Sequence, residues 1–334
     1  MNGIQAGSLS QQDFTEDKTI MQKHQEIMLG LKQHHTAITA LLKGRRFHYI
    51  DIPVHDNIGD LLIMLGTVRF FKDNGLSPAT VSNTYYFDHQ WVRPGDVLVF
   101  HGGGNFGDIY GSIHDLREKL IAAFPDNRIV LMPQTLFFSS VEARARSAAT
   151  ISRHPDLHLF VRDTVSEKLA YEFTDKVYLV PDMAHHLYPI RHSGGAAQGN
   201  VRIQRVDPEK PKTPESLRSL PIRTTTDWVD VIGDERRLMT LFAKLEWRFD
   251  RYGWDRALTK LALWFWVPVS RRFMGKAVKL FADHETIVTD RLHGHILSCL
   301  MDKKNIVIDN SYGKNSTYMN QWTAASPLTT LVKE

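Results

Sequence analysis

One cysteine, Cys299, stands in 334 residues. A single thiol excludes an internal disulfide framework and a thiolate zinc cage, and it fits a reducing compartment. The chain has no uninterrupted apolar run of about 18 residues, so no membrane span is predicted. Residues 1–20 are polar and carry no apolar signal core, which places the protein in the cytoplasm as an expectation. No Gly-Lys-Ser/Thr follows the glycine-rich stretch, so there is no Walker A loop, and the stretch is not read as a Rossmann fingerprint, which wants Gly-x-Gly-x-x-Gly opening a helix. The nucleophile elbow Gly-x-Ser-x-Gly is missing too, which argues against a serine hydrolase. His293 and His295 stand two apart, unlike the zinc motifs, and His185-His186 lacks companions, so no metal is expected. Internal repeats and low-complexity runs are absent.

What is present is a globular composition, 43% hydrophobic, long enough for two α/β domains. The net charge of +4 and pI near 9.0 are compatible with an anionic substrate, a nucleic acid or an anionic membrane, and choose none of them. The chain is organised around residues 97–108. Val97 to Phe100 reads as a buried parallel strand, and Gly102, Gly103 and Gly104 follow it, then Asn105, Gly107 and Asp108. Ligands in open α/β sheets bind beyond the carboxyl ends of strands. Three glycines there fit either a close ligand approach or a tight crossover turn.

Strands and helices alternate at βα spacing on both sides of this stretch, so a doubly wound parallel architecture is predicted. Residues 1–44 form an N-terminal extension, frayed over 1–18 and helical over 19–43. A first domain, 45–188, starts with the strand Phe47–Ile52. Asp60 follows at the start of a helix, where it either caps free N–H groups or serves chemistry. Tyr85, Tyr86, Phe87, His89 and Trp91 either line a sugar site or pack on the sheet. Arg128–Met132 is a strand ending at Pro133-Gln134-Thr135; Leu157–Val161 is a strand ending at Arg162-Asp163. A linker, 189–200, leads to a second domain, 201–334. There Glu285–Thr289 precedes the turn with Arg291, His293 and His295, and Asn305–Asp309 precedes Lys314.

Residues 236–280 read as an insertion. Over 236–279 eleven basic side chains face three acidic ones, an excess of eight against four for the whole chain. Trp247, Trp254, Trp264 and Trp266 lie among them. Tryptophan in an apolar run flanked by Arg and Lys, here Trp264, Trp266, Arg271 and Arg272, suits an element lying in an anionic membrane interface. A core helix with a solvated basic rim is the other reading. Nucleic-acid binding ranks below both, because no known recognition pattern accompanies the charge.

The polar residues at strand ends fall into two groups: Asp60, Asn105, Asp108, Gln134 and Arg162 in the first half, and Arg291, His293 and Lys314 in the second. If the halves face each other, they enclose a cleft suited to a small polyanion and an acid–base reaction.

The pieces Asn57–Asp60, His101–Asp108, Met132–Thr135, Val161–Asp163, Pro181–Met183, Asp290–Gly294 and Tyr312–Lys314 together resemble the polysaccharide pyruvyl transferase family, with the bacterial exopolysaccharide ketal pyruvate transferases of the xanthan type as the nearest likeness. The resemblance spans residues 50–315. It implies an α/β fold of two Rossmann-like domains facing across a cleft, GT-B-like, and phosphoenolpyruvate as co-substrate with no cofactor. It implies donor contacts from Arg162, Arg291, His293 and Lys314, and catalysis by His293, Asp60 and Arg291. The implied acceptor is a lipid-linked oligosaccharide, ending in mannose, met at the inner leaflet by a cytoplasmic protein held peripherally on the membrane. The basic Trp-rich segment is not part of the general family pattern. A nucleotide-sugar glycosyltransferase on the same fold and a non-catalytic scaffold of polysaccharide assembly are the rival readings.

Overall fold

The computed structural model describes residues 11–84, 87–192, 197–206, 211, 214–239, 256–309 and 313–333, the side chains of 11–16 and 256–263 excepted. Tyr85, Tyr86, Trp247 and Trp254, named above, lie outside the described residues, as do residues 1–10.

The chain is α/β with two parallel sheets. The first holds β1 (Phe47–Ile52), β2 (Thr80–Asn83), β3 (Val97–Phe100), β4 (Gly103–Phe106), β5 (Arg128–Leu136), β6 (Leu157–Val161) and β7 (Val177–Leu179), in the order β2-β1-β3-β5-β6-β7 with β4 also on β5. The second holds β8 (Asn200–Ile203), β9 (Ile222–Thr226), β10 (Thr286–Thr289), β11 (Lys304–Ile308) and β12 (Thr329–Val332), in the order β12-β11-β10-β8-β9. All the pairings are parallel. Every residue of β1, β3 and β6 is buried, as expected of strands covered on both faces.

Two local departures from the sequence reading shape the site. First, Gly103–Phe106 is not a bare turn but the short strand β4. It forms because β5 runs four residues past Met132, through Pro133, Gln134 and Thr135, and offers a free edge. Pro133 sits in the gap where β3 pairing stops at Leu131 and β4 pairing starts at Gln134, so its missing N–H interrupts no regular ladder. Second, Arg291, His293 and Lys314 belong to helix starts: Arg291 precedes the helix Leu292–Leu300, and Lys314 opens the helix Lys314–Trp322.

The helix Ile58–Asp73 lies between the two sheets, which explains why its residues 58–67 are all buried. It packs on the 183–187 turn and on the helices Arg256–Ala282 and Leu292–Leu300. One apolar cluster therefore joins both halves: Leu61, Leu62 and Met64 meet Met183, Trp266, Phe273, Leu297 and Leu300. At Gly66 a Cβ would fall 2.1 Å from the Met183 carbonyl oxygen, so only glycine permits this approach. The N-terminal segment is helical from Gln11 rather than frayed to 18, with a 3₁₀ turn at Lys32–His35. It is fastened to the second sheet's side by His24, whose ring meets Ser326 Oγ at 2.7 Å and the Cys299 carbonyl at 2.9 Å.

Candidate active site

A cavity of about 330 Å³ opens between the two sheets, lined from both by residues in or beyond the carboxyl ends of their strands. Asn57, Asp60, Gly104, Asn105 and Arg162 come from the first side; Arg205, Arg291, His293 and Lys314 come from the second.

Asp60 follows β1 in the first turn of its helix. The cap is Asn57, whose side-chain oxygen accepts from Gly59 N at 3.0 Å. Asp60 is thereby released from capping. Its carboxylate accepts from Asn57 Nδ2 at 2.9 Å and lies 3.4 Å from His55 Nε2. The glycines give it room. Gly103 adopts φ +119°, and a Cβ there would stand 3.5 Å from Asp60 Oδ1. A Cβ on Gly104 would meet Lys314 Nζ at 3.3 Å and Arg162 Nη2 at 3.6 Å. The stripped backbone thus lets one carboxylate and two cations close around the end of the sheet. Gly102 and Gly103 support the cavity from behind rather than line it.

Arg162 is almost fully buried. Its Nε donates to Thr135 Oγ1 at 2.8 Å, and its Nη1 is ion-paired with Asp182. Asp182 also lies 3.4 Å from His293 Nε2. Burial alone would raise the Asp182 pKa, but the His293 ring beside it and the charge of Arg162 hold the carboxyl far below its ordinary range. One buried anion therefore anchors two of the candidate residues. His293 is further fixed by the start of the Asp60 helix, since a Cβ on Gly59 would fall 2.5 Å from His293 Nδ1.

Arg291 is held as a fork: its Nε and Nη2 donate to the two carboxylate oxygens of Asp227, each at 2.5 Å. Lys314 is half-buried. Burial, reinforced by the neighbouring charges of Arg162 and Arg205, pushes its pKa down to about 8. Cations crowded this closely define a place for an anion with more than one negative group.

Asp60, Asn105, Arg162, Arg291, His293 and Lys314 therefore converge as the strand-end argument expects. Gln134 and Asp108 do not. Gln134 turns inward, its Nε2 donating to the His101 carbonyl beside the buried Arg117–Asp51 pair. Asp108 pins Ser139, accepting from its backbone N–H at 2.8 Å. Phe87 and Trp91 pack on the sheet. Asp227 and Arg205 were not singled out from sequence, and Asp182 stood there only within the Pro181–Met183 piece, with no role of its own. Pro181-Asp182 carried a signal, as a polar residue past a strand; Asp227 lies 64 positions from its partner and carried none.

The membrane-interface set divides. Trp264 is 66% exposed and stacks edge-on with exposed Phe265 at 4.9 Å, and Arg271 is exposed. Arg272 is exposed too, but its Nε is 2.6 Å from Glu235. Trp266 is a correction: it is fully buried, its indole N–H donating to the Pro53 carbonyl at 2.8 Å. Two positions along a helix turn a side chain by about 200°, so neighbours at that spacing face opposite ways. Among the described residues no helix is long and apolar enough to cross a membrane, and no group of three His, Cys, Asp or Glu side chains could hold a metal ion.

A model of the family described as polysaccharide pyruvyl transferase matches residues 57–312. The chain is 33% identical over 311 residues to EpsO of Bacillus subtilis strain 168, provisionally named a pyruvyl transferase, covering 92% of this chain and 94% of that one. It is 27% identical to pyruvyl transferase 1 of Schizosaccharomyces pombe over 68% of this chain and 54% of that one. In fold it is similar to the crystal structure of a functionally uncharacterised Klebsiella pneumoniae protein, with TM-score 0.59 and 20% identity, over 92% of this chain and 98% of that one.

Proposed function

Since the chain belongs to the polysaccharide pyruvyl transferase family, and is an enzyme of pyruvyl transfer, we propose that it moves pyruvate from phosphoenolpyruvate onto two hydroxyls of one sugar, closing a cyclic ketal and releasing phosphate. The observation that carries this reading is the convergence of Arg162, Arg291 and Lys314 on one cavity with Asp60 and His293.

The donor has a phosphate and a carboxylate, and the cations divide between them. Arg291 presents its fork already oriented by Asp227, and Arg162 is oriented by Asp182. Protonation of the enol methylene by His293 makes the adjacent carbon electrophilic, and the Asp182 carboxylate behind the ring supports the imidazolium before transfer. The first sugar hydroxyl adds to that carbon as Asp60 takes its proton. Phosphate leaves with the bonding electrons and takes up the proton that Asp60 accepted, its remaining charge stabilised by Arg291 and Lys314. The second hydroxyl then adds to the same carbon, and its proton passes to the neutral imidazole.

The finer assignments belong to the same proposal. The fold acts as a GT-B-like pair of Rossmann-type halves, with the boundary near 189–200. The acceptor is a lipid-linked exopolysaccharide repeat of the xanthan kind. The enzyme works at the cytoplasmic face of the membrane, held there by the outer face of the helix Arg256–Ala282, where exposed Trp264 and Phe265 precede Arg271.

Phosphorus NMR of phosphoenolpyruvate with the enzyme tests the reading. Inorganic phosphate is expected to accumulate only when a lipid-linked oligosaccharide fraction is added. Consumption of a nucleotide sugar, with phosphoenolpyruvate untouched, would make the protein a glycosyltransferase.

A further inference from the structure

Beside its cations the cavity has a largely apolar wall, made by Ile109, Tyr110, Phe137, Phe138, Val165 and Leu169, with Arg144 as a further charged lining residue. Four of these, Ile109, Tyr110, Phe137 and Val165, are 37–54% exposed, although large apolar side chains at that exposure are few in the described chain. Apolar groups that face water and converge on a cavity mark a binding surface.

This wall is not loosely held. Phe137 N donates to the Phe106 carbonyl at 3.0 Å, and Asp108 grips Ser139, so the two loops carrying Tyr110 and Phe137 are fastened to each other. A Cβ on Gly107 would fall 1.7 Å from the Phe137 carbonyl oxygen, which shows how closely they approach. Beneath them Phe138 stacks on Phe173 at 5.7 Å and meets Phe106 edge-on. Apolar side chains on a rigid support are presented without an ordering cost at binding.

We infer that this wall is the acceptor subsite, and that it seats the C–H face of an acceptor pyranose against Tyr110 and Phe137. The inference rests on the pyruvyl-transfer reading and places its second substrate. The choice of a sugar over a hydrocarbon chain follows from what shares the cavity: the amides of Asn57 and Asn105, the Asp60 carboxylate and the Arg144 guanidinium line it too, and all are groups that hydrogen-bond sugar hydroxyls. A cavity of about 330 Å³ also falls in the range that holds a ligand of drug size, larger than a three-carbon phosphate ester. The cations take the donor, and the apolar wall takes the acceptor.

Tyr110→Ser and Val165→Ser test this at exposed positions, and the far-ultraviolet circular dichroism of each variant confirms that it is folded. The probe is the oligosaccharide released by mild acid from the producing strain's own exopolysaccharide, used free and on its lipid carrier. Tyr110→Ser should raise the acceptor KM about tenfold, the scale of one lost ring contact, for both forms, with the phosphoenolpyruvate KM unchanged. Val165→Ser should act the same way more weakly. An effect confined to the lipid-bearing form would assign the wall to hydrocarbon and overturn the inference. So would an unchanged acceptor KM, or a matching rise for the donor. Calorimetric binding of the free oligosaccharide without donor separates this from the reaction assignment: weakened binding by Tyr110→Ser supports the subsite whichever donor is used, and equal binding refutes it.

Discussion

Asp182 lies 3.4 Å from His293 Nε2 while it also holds the ion pair with Arg162. A single buried carboxylate thus joins the proposed acid to a proposed donor clamp. Asp182→Asn keeps the shape and removes the charge. It should lower kcat by about a hundredfold or more through His293, in the manner of other carboxylate–imidazole pairs, and raise the phosphoenolpyruvate KM through Arg162. Arg162 would stay buried without its counter-charge, so thermal unfolding should show a stability loss of about 3–5 kcal/mol. An unchanged kcat in folded protein would show that the pair is structural.

Gly59 supplies a second handle on the same imidazole. Its missing Cβ leaves the space that His293 Nδ1 occupies, at 2.5 Å. Gly59→Ala should displace the ring and depress kcat strongly. Gly75→Ala would be a poor control because of its φ of +65°, whereas Gly111→Ala, with nothing within 4 Å of its Cβ, should be close to silent. Steady-state kinetics of the two variants gives the comparison.

The pH dependence follows from Lys314, whose pKa is lowered to about 8. Below that pH the ammonium is present and favours an anionic donor. As pH rises through about 8 the proton is lost, and the phosphoenolpyruvate KM should climb by up to tenfold per pH unit. Lys314→Arg should flatten that alkaline rise, because the guanidinium keeps its charge. The stability sign is opposite. Between about 8 and 10.5 the unfolded chain holds a proton that the folded one has released, so this group contributes stability that grows with pH and is lost as pH falls through about 8. A KM flat from pH 7 to 10 would remove Lys314 from the donor site.

Trp264 and Trp266 make a paired test of the outer helix face. Trp264→Ser with Phe265→Ser should leave folding intact and reduce binding to vesicles containing anionic lipid. Trp266→Ala should instead cost about 3–5 kcal/mol of stability, from a large buried side chain and the lost hydrogen bond to Pro53. Vesicle sedimentation unchanged in the first variant would count against membrane docking.

These residues also show how far the sequence could be read. The strand-end rule brought Asp60, Arg162, Arg291, His293 and Lys314 to one place, because parallel βα units deliver their carboxyl ends to one side of each sheet. The same rule misled at Gln134, since β5 continues past Pro133 and pleating turns that side chain inward toward His101. Treating Trp264 and Trp266 as one surface overlooked the helical period, which separates them. The anchoring carboxylates Asp182 and Asp227 could not be assigned partners, because each pairing joins segments that only the tertiary fold brings together.

The most direct test of the whole account is the reaction run in heavy water, with phosphoenolpyruvate and a lipid-linked oligosaccharide acceptor, and the product examined by mass spectrometry and NMR. The mechanism predicts acceptor-dependent phosphate release and a ketal whose methyl group carries one deuterium, delivered by the proton donor, with both lost in His293→Ala. A product without solvent deuterium in that methyl, or full turnover by His293→Ala, would contradict it.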